Sequence, residues 1–298
     1  MRLLTEKYIV FITLALCWVT PAAAAPLFPT LAKSKDPILQ HNLEQTLKGF
    51  GLASAARKNT LSVALVDITD PQHPHMATVN GDHMMYAASL PKIAILLGAF
   101  KRIENGEMTL DQKTRDQLTQ MIRFSSNKAA TTMLNRVGKQ YLADLLQSPP
   151  YRLYDHKNNG GLWVGKEYGK RPAWKRDPLH NLSHGATTFQ VARFYYLLET
   201  GQLVSPELTR EMKAMLGQPG ISHKFVKGLN DARPGSEIFR KSGSWREWHA
   251  DSAIVERDGR RYIAVALAQS PQGGKWLERL IVGLDNLVFG NVQIALLN

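Results

Sequence analysis

The sequence predicts an α+β fold: an antiparallel sheet of about five strands drawn from both ends of the chain, flanked by helices, plus an all-α lobe. Two observations predict it. Strand-like alternation is confined to two stretches, roughly residues 61–80 and 237–268. Between them, from Asp111 to about Ser236, the apolar period is mostly helical, with no convincing strand.

Taken in order, residues 26–36 form a leader containing Pro and Lys. From Ile38 the spacing of Leu39, Leu43 and Leu47 predicts an amphipathic helix running to about Lys58. Leu61 to Ile68 alternates and reads as a strand, and Met76 to Asn80 as its hairpin partner. Ser89 opens an apolar segment, Ile93 to Phe100, that reads as a buried helix with Pro91 in its first turn. Helices follow at Leu110 to Met121, Lys128 to Gln147 and Thr187 to Gly201. Ser148 to Gly185, rich in Pro, Gly, Asn and charge, reads as a long irregular excursion of the kind that usually carries function. Strands return at Glu237 to Lys241, Asp251 to Glu256 and Arg261 to Ala268, with Asp258-Gly259 as a hairpin turn between the last two. Lys275 to Leu297 closes the chain as an apolar helix. Residues 26–298 are thus expected to form one domain, its α/β part about 37–105 and 236–298 and its helical lobe about 106–235. A cleft between the two parts is the natural place for a ligand.

The first residues read as an export signal. Arg2 and Lys7 precede a short apolar run, Ile9 to Val19, and Ala22 to Ala25 offer small residues to a signal peptidase. The run falls short of the roughly 20 residues a membrane span needs. Residues 1–25 are therefore expected to be removed, leaving a periplasmic or secreted bacterial protein with no stable membrane insertion. Cys17 is the one cysteine and lies inside this segment, so the remaining chain has no disulfide and no thiolate chemistry. The net charge of +12 is high for the length, with its densest cluster at Lys166, Lys170, Arg171, Lys175 and Arg176. Export argues against nucleic acid as the partner; an anionic polymer, a lipid headgroup or a carboxylate-bearing substrate suits the compartment better, and a soluble basic surface with no specific partner is the simpler reading of the charge. The nine histidines show no metal-ligand spacing, so no metal is expected.

Three short motifs carry chemistry: Ser89-Leu90-Pro91-Lys92, Ser125-Ser126-Asn127 and Lys241-Ser242-Gly243. On a helix Ser89 and Lys92 share one face, and a desolvated lysine can take the serine's proton. The spacing alone is weak, since Ser125 and Lys128 match it too. Ser89, however, leads a buried-looking helix, whereas Lys128 opens a polar one. Ser125-Ser126-Asn127 also suits a helix N-cap, and Lys241-Ser242-Gly243-Ser244 also suits the junction of a strand with a turn. In the functional reading, the N–H groups of Ser89 and Ser244 form an oxyanion hole, and Lys241 attracts a substrate carboxylate and lowers the pKa of Lys92. Arg246, beside Trp245, Trp248 and His249, is a further candidate for a bidentate carboxylate contact.

Together these motifs resemble those of the penicillin-recognising serine enzymes, most closely the class A β-lactamases. The resemblance extends to Met108-Thr109-Leu110, to Ser125 through Ala130, to Thr187-Thr188 with Gly201-Gln202-Leu203-Val204, and to Arg261 through Leu267. It implies a β-lactamase/transpeptidase-like fold, no cofactor, and a monomer that hydrolyses a small β-lactam through an acyl-enzyme. It further implies that Ser89 is acylated, Lys92 is a base, Ser125 relays a proton, Asn127 holds the substrate amide, and Lys241 with Ser242, Gly243 and Ser244 seats the substrate.

The sequence departs from that family at Ser126, where an Asp is usual, and at Ser242, where a Thr is usual. The stretch between the first two motifs is also shorter. The loop glutamate that aims water at the acyl-enzyme has no clear match: Asp177, in Asp177-Pro178-Leu179-His180-Asn181, and Glu167 are the two candidates. If neither acts, deacylation is slow or uses an amine or peptide acceptor. The rival readings are therefore a D,D-peptidase or esterase acting on cell-wall peptides, and a sensor that stays acylated.

Overall fold

The computed structural model describes residues 28–290. The export signal expected at residues 1–25, and the last residues of the closing helix, lie outside this range. Helix α1 (Pro37–Gly49) starts where Asp36 accepts from the backbone N of Ile38 and Leu39, at 2.8 and 2.9 Å, with Pro37 in the first turn. It buries Leu39, Leu43 and Leu47. The single helix expected from Ile38 to Lys58 is broken: Leu52 N returns to Leu47 O (2.8 Å), and a short α2 (Ala53–Arg57) follows.

Strands β1 (Leu61–Asp67) and β2 (His75–Val79) form the first hairpin, then β3 (Met85–Tyr86) leads to the turn of Ser89 and helix α3 (Lys92–Glu104). The lobe continues with α4 (Gln112–Ile122), α5 (Asn127–Val137) and α6 (Lys139–Gln147). One helix was expected from Lys128 to Gln147, but Gly138, at φ +92, separates α5 from α6.

The segment from Ser148 to Gly185 corrects the expectation of a strand-free middle region. It holds β4 (Tyr154–Asp155), β5 (Gly160–Gly161), β6 (Trp163–Val164) and β7 (His184–Ala186). Strands of two or three residues are too short to show a period in sequence. They matter because β3, β7 and β6 form a small sheet in that order, with Tyr86 opposite Gly185 and Trp163 opposite Gly185 on its other side. The excursion is thereby tied to the residues just before Ser89. Helices α7 (Thr188–Glu199), α8 (Pro206–Leu216) and α9 (Phe225–Ala232) complete the middle of the chain.

The chain ends with β8 (Glu237–Trp245), β9 (Trp248–Arg257), β10 (Arg260–Gln269) and α10 (Gly273–Phe289). The main sheet is antiparallel with order β2-β1-β10-β9-β8, so strands from the two ends of the chain meet at β1 and β10. Alternation assigns its faces. Val63, Leu65, Ala264 and Ala266 join the helices α1, α9 and α10 in one core, whereas Ala64, Val66, Ile263 and Val265 join α3 and the lobe in another. Strand β8 runs past the Lys241 motif to Trp245, instead of ending there, which makes the motif part of a sheet edge.

Candidate active site

Ser89 does not lie within a full α-helix; it sits in the tight turn that feeds one. Lys92 N bonds back to Ser89 O at 3.3 Å and Ile93 N to Leu90 O at 3.2 Å, and α3 begins at Lys92. Residues 92–100 are all buried, because α3 passes between the sheet and the lobe. Lys92 is carried into that apolar setting, and burial pushes its ammonium down to about 7.

The surroundings of Lys92 are polar on one side and aromatic on the other. Its Nζ donates to Ser125 O (2.6 Å) and Asn127 Oδ1 (2.8 Å), and lies 3.4 Å from Ser125 Oγ. It also stands 4.5 Å from the centre of the Tyr168 ring. A neutral lysine has two N–H groups, so the two shorter bonds use both and leave the lone pair for a hydroxyl. Among the described residues, no hydrogen bond joins Ser89 Oγ to Lys92.

Ser125 and its neighbours divide the work of the loop before α5. Ser126 is the N-cap, accepting from Ala129 N at 3.2 Å. Ser125, at φ +55, is left to face the lysines. Lys241 donates to its Oγ at 3.0 Å and to Ser242 O at 2.7 Å. Burial, then the charges of Lys92 and Arg240, push Lys241 well below the usual lysine range.

Gly243 explains how β8 comes so close to the Ser89 turn. A Cβ at that position would stand 2.2 Å from Ala87 O and 2.8 Å from the backbone N of both Ser89 and Leu90. Lys224, not anticipated from sequence, holds the same edge from behind: its buried Nζ donates to Gly243 O (2.7 Å), Ser244 Oγ (2.7 Å) and Ala250 O (3.1 Å). Arg240, one residue before Lys241, pairs with buried Asp251 at 2.7 Å.

A cavity of about 660 Å³ opens over these residues. Ser89, Asn127 and Ser244 line it, together with Tyr86, Tyr168, His184, Trp245 and Trp248. The aromatic wall is continuous, from Trp248 to Tyr86 (6.1 Å), to His184 (6.2 Å) and to Tyr168 (4.3 Å). Burial pushes His184 down to about 4, so the ring is neutral near pH 7. Tyr168, Tyr86 and His184 gave no sequence signal of their own; the small β3-β7-β6 sheet and the fold of the loop collect them.

The loop acids differ in placement. Glu167 is on the cavity wall, but its carboxylate is paired with Lys139 at 2.6 Å and Arg171 at 3.4 Å. Asp177 is buried away from the cavity wall, accepting from Tyr154 Oη (2.8 Å) and from the backbone N of Leu179, His180 and Leu182 at 3.1, 3.0 and 2.6 Å. Arg246, at φ +50 in the β8–β9 turn, is exposed, with its guanidinium 5.8 Å from the Trp245 ring, and is not on the cavity wall. Ser242 is buried beneath the strand edge. Among the described residues, no group of three or more His, Cys, Asp or Glu side chains gathers as a metal site would require, and no helix is long and apolar enough to cross a membrane.

This fold, with buried lysines meeting at a serine beside a second serine on a helix-leading turn, is that of a serine hydrolase of the penicillin-recognising superfamily. The chain belongs to the beta-lactamase enzyme family, whose profile matches residues 42–115 and 113–288. Among solved structures it is similar to PBP-A, with 18% identity over 87% of this chain and 97% of that one and a TM-score of 0.64. It is similar to a beta-lactamase from Sphaerobacter thermophilus, with 18% identity over 83% and 95% of the two chains and a TM-score of 0.64. A beta-lactamase from Chitinophaga pinensis matches at 15% identity over 83% and 99%, with a TM-score of 0.65. No curated protein matches the chain.

Proposed function

We propose that the protein opens β-lactams by acylating Ser89 and then hydrolyses the acyl-enzyme. The observation that carries this reading is the Ser125 hydroxyl between two buried lysines, 3.4 Å from Lys92 and 3.0 Å from Lys241, beside a cavity lined by Ser89. In the proposed sequence, neutral Lys92 takes the Ser89 proton as Oγ attacks the carbonyl carbon. The N–H groups of Ser89 and Ser244 hold the oxyanion, and Asn127 orients the substrate amide. The C–N bond then breaks, and its nitrogen takes a proton from Ser125, which is reprotonated from the lysine pair. Lys241, with Ser242, Gly243 and Ser244, seats the leaving side of the substrate. Water then releases the acid, with Glu167, the one carboxylate among the described residues on the cavity wall, as its activator. We assign Asp177 to holding its own turn. A variant of PBP-A, similar in fold at 18% identity, has been solved as an acyl-enzyme complex with penicillin G, which supports the acylation step. We further infer export through residues 1–25 and action outside the cytoplasm.

The site supports a second reading. The Tyr168 ring covers Lys92 and Glu167 is bound to Lys139, an arrangement that disfavours water at the acyl-enzyme. A D,D-peptidase handing its acyl group to an amine would use the same acylation machinery, and so would a sensor that stays acylated. Purified protein is mixed with a chromogenic cephalosporin and a fluorescent penicillin, and the Ser89 adduct is followed by mass spectrometry. Repeated turnover supports hydrolysis; a lasting adduct moves the assignment to the peptidase or sensor. The absence of any adduct, with Ser89→Ala changing no activity on amides or esters, overturns both.

A further inference from the structure

The basic cluster Lys166, Lys170, Arg171, Lys175 and Arg176 is not scattered over the surface. Lys166, Lys170 and Arg176 all line the catalytic cavity. They come from separate parts of the loop: a backbone crossing brings Lys166 and Arg176 together, and Lys170 lies on the excursion between them. A Cβ on Gly165 would stand 1.9 Å from Lys175 O; Trp174 N and Lys175 N both bond to Gly165 O, at 3.0 and 3.2 Å. Trp163 Nε1 locks the crossing from the other side through Lys175 O, at 3.1 Å. The residues that follow the two crossing points are Lys166 and Arg176. Arg176 is steadied by donation from Nη1 to Asn181 O (3.0 Å), and Lys166 by its own carbonyl, which His184 Nε2 meets at 3.1 Å.

Among the described residues Glu167 is the one acid lining the cavity, and its carboxylate is already engaged by Lys139 and Arg171. Among the described residues, no salt bridge joins Lys166, Lys170 or Arg176 to an acid. Holding like charges together at the mouth of a low-dielectric cleft costs energy, which a bound anion recovers, and such a mouth focuses anionic ligands.

We propose that Lys166, Lys170 and Arg176 form an anion subsite that selects acyl donors carrying a carboxylate on their acyl portion. The orientation follows from the protonation step. The leaving nitrogen must meet the Ser125 hydroxyl, which Lys241 contacts, so the leaving portion lies beside Lys241 and β8. The acyl portion is then directed to the remaining wall, formed by the loop. The inference rests on Ser89 as the acylated residue.

The test compares two penicillins that differ by one group, benzylpenicillin and its α-carboxybenzyl analogue. Their rates of adduct formation on Ser89 are measured at about 0.01 M and about 1 M salt, where the Debye length falls from about 30 Å to about 3 Å. The carboxylated compound is expected to react roughly 10-fold faster at low salt. That ratio falls to about one at high salt and in K166Q/K170Q/R176Q. A control with three exposed lysines away from the cavity removed, K48Q/K58Q/K113Q, keeps the wild-type ratio and so separates the subsite from the overall positive charge. A wild-type ratio of one or less at low salt overturns the subsite, as does a ratio that the cavity variant retains or the control loses. Failure of both penicillins to label Ser89 overturns the acylation reading and the subsite with it, whereas equal labelling overturns the subsite alone.

Discussion

Lys92 and Lys241 converge on one atom: their Nζ atoms lie 3.4 and 3.0 Å from the Oγ of Ser125. Two ammonium groups this close, both buried, cannot both remain charged cheaply, and the charge of Lys92 is one of the causes that hold Lys241 well below the usual lysine range. The shared hydroxyl bridges them. Ser125→Ala is accordingly expected to slow acylation by about 100-fold or more, the range of one lost proton-transfer partner. Stopped-flow acylation rates check this; an unchanged rate would remove Ser125 from the relay.

Because burial pushes Lys92 down to about 7, its free-base form grows as pH rises through that value. The acylation rate should rise with an apparent midpoint near 7, measured across buffers of constant ionic strength. The same shift affects stability. A folded-state pKa below the unfolded one means a charge forced into an apolar site, a penalty fully present below about pH 7 and lost as pH climbs through the unfolded lysine value. Lys92→Met should therefore gain more in Tm over wild type at pH 6 than at pH 10. An equal or reversed difference, read by calorimetry, would contradict the placement of the charge.

Gly243→Ala tests the contact between β8 and the Ser89 turn. The added methyl group would meet backbone atoms at 2.2 and 2.8 Å, and backbone cannot swing aside as a flexible side chain does. The expected result is a loss of acylation on the order of 100-fold, that of a displaced oxyanion donor, in a protein that still folds. Circular dichroism with adduct mass spectrometry decides it, and wild-type acylation would show that the edge yields.

The two loop acids should separate by phenotype. Asp177 accepts three backbone hydrogen bonds inside its turn and a fourth from Tyr154 Oη, so Asp177→Ala should cost about 3 kcal/mol in urea unfolding without trapping an acyl-enzyme. Glu167→Gln should leave folding near wild type but let the acyl-enzyme accumulate, with deacylation slowed about 100-fold. Accumulation in the Asp177 variant alone would reverse the two assignments.

What sequence made legible was local. Strand β1, its partner β2 and the turn at Asp258-Gly259 follow from alternation and turn chemistry, which act over a few residues. The helix breaks after Gly49 and at Gly138 were hidden because apolar spacing continues across them. The short strands β4 to β7 were hidden because two or three residues carry no period.

The candidate site divides the same way. By itself, the order of Ser89-x-x-Lys92, Ser125-x-Asn127 and Lys241-Ser242-Gly243 determined which residue types could supply a nucleophile, a base and a relay. Only the tertiary structure decided that Lys241 and Lys92 share Ser125, that Tyr168 covers Lys92, and that Glu167 lines the cavity with its carboxylate held by Lys139 and Arg171 while Asp177 ties its own loop. Those relations depend on which buried surfaces meet. Burial also sets the protonation of the lysines, and spacing along a chain carries no record of desolvation.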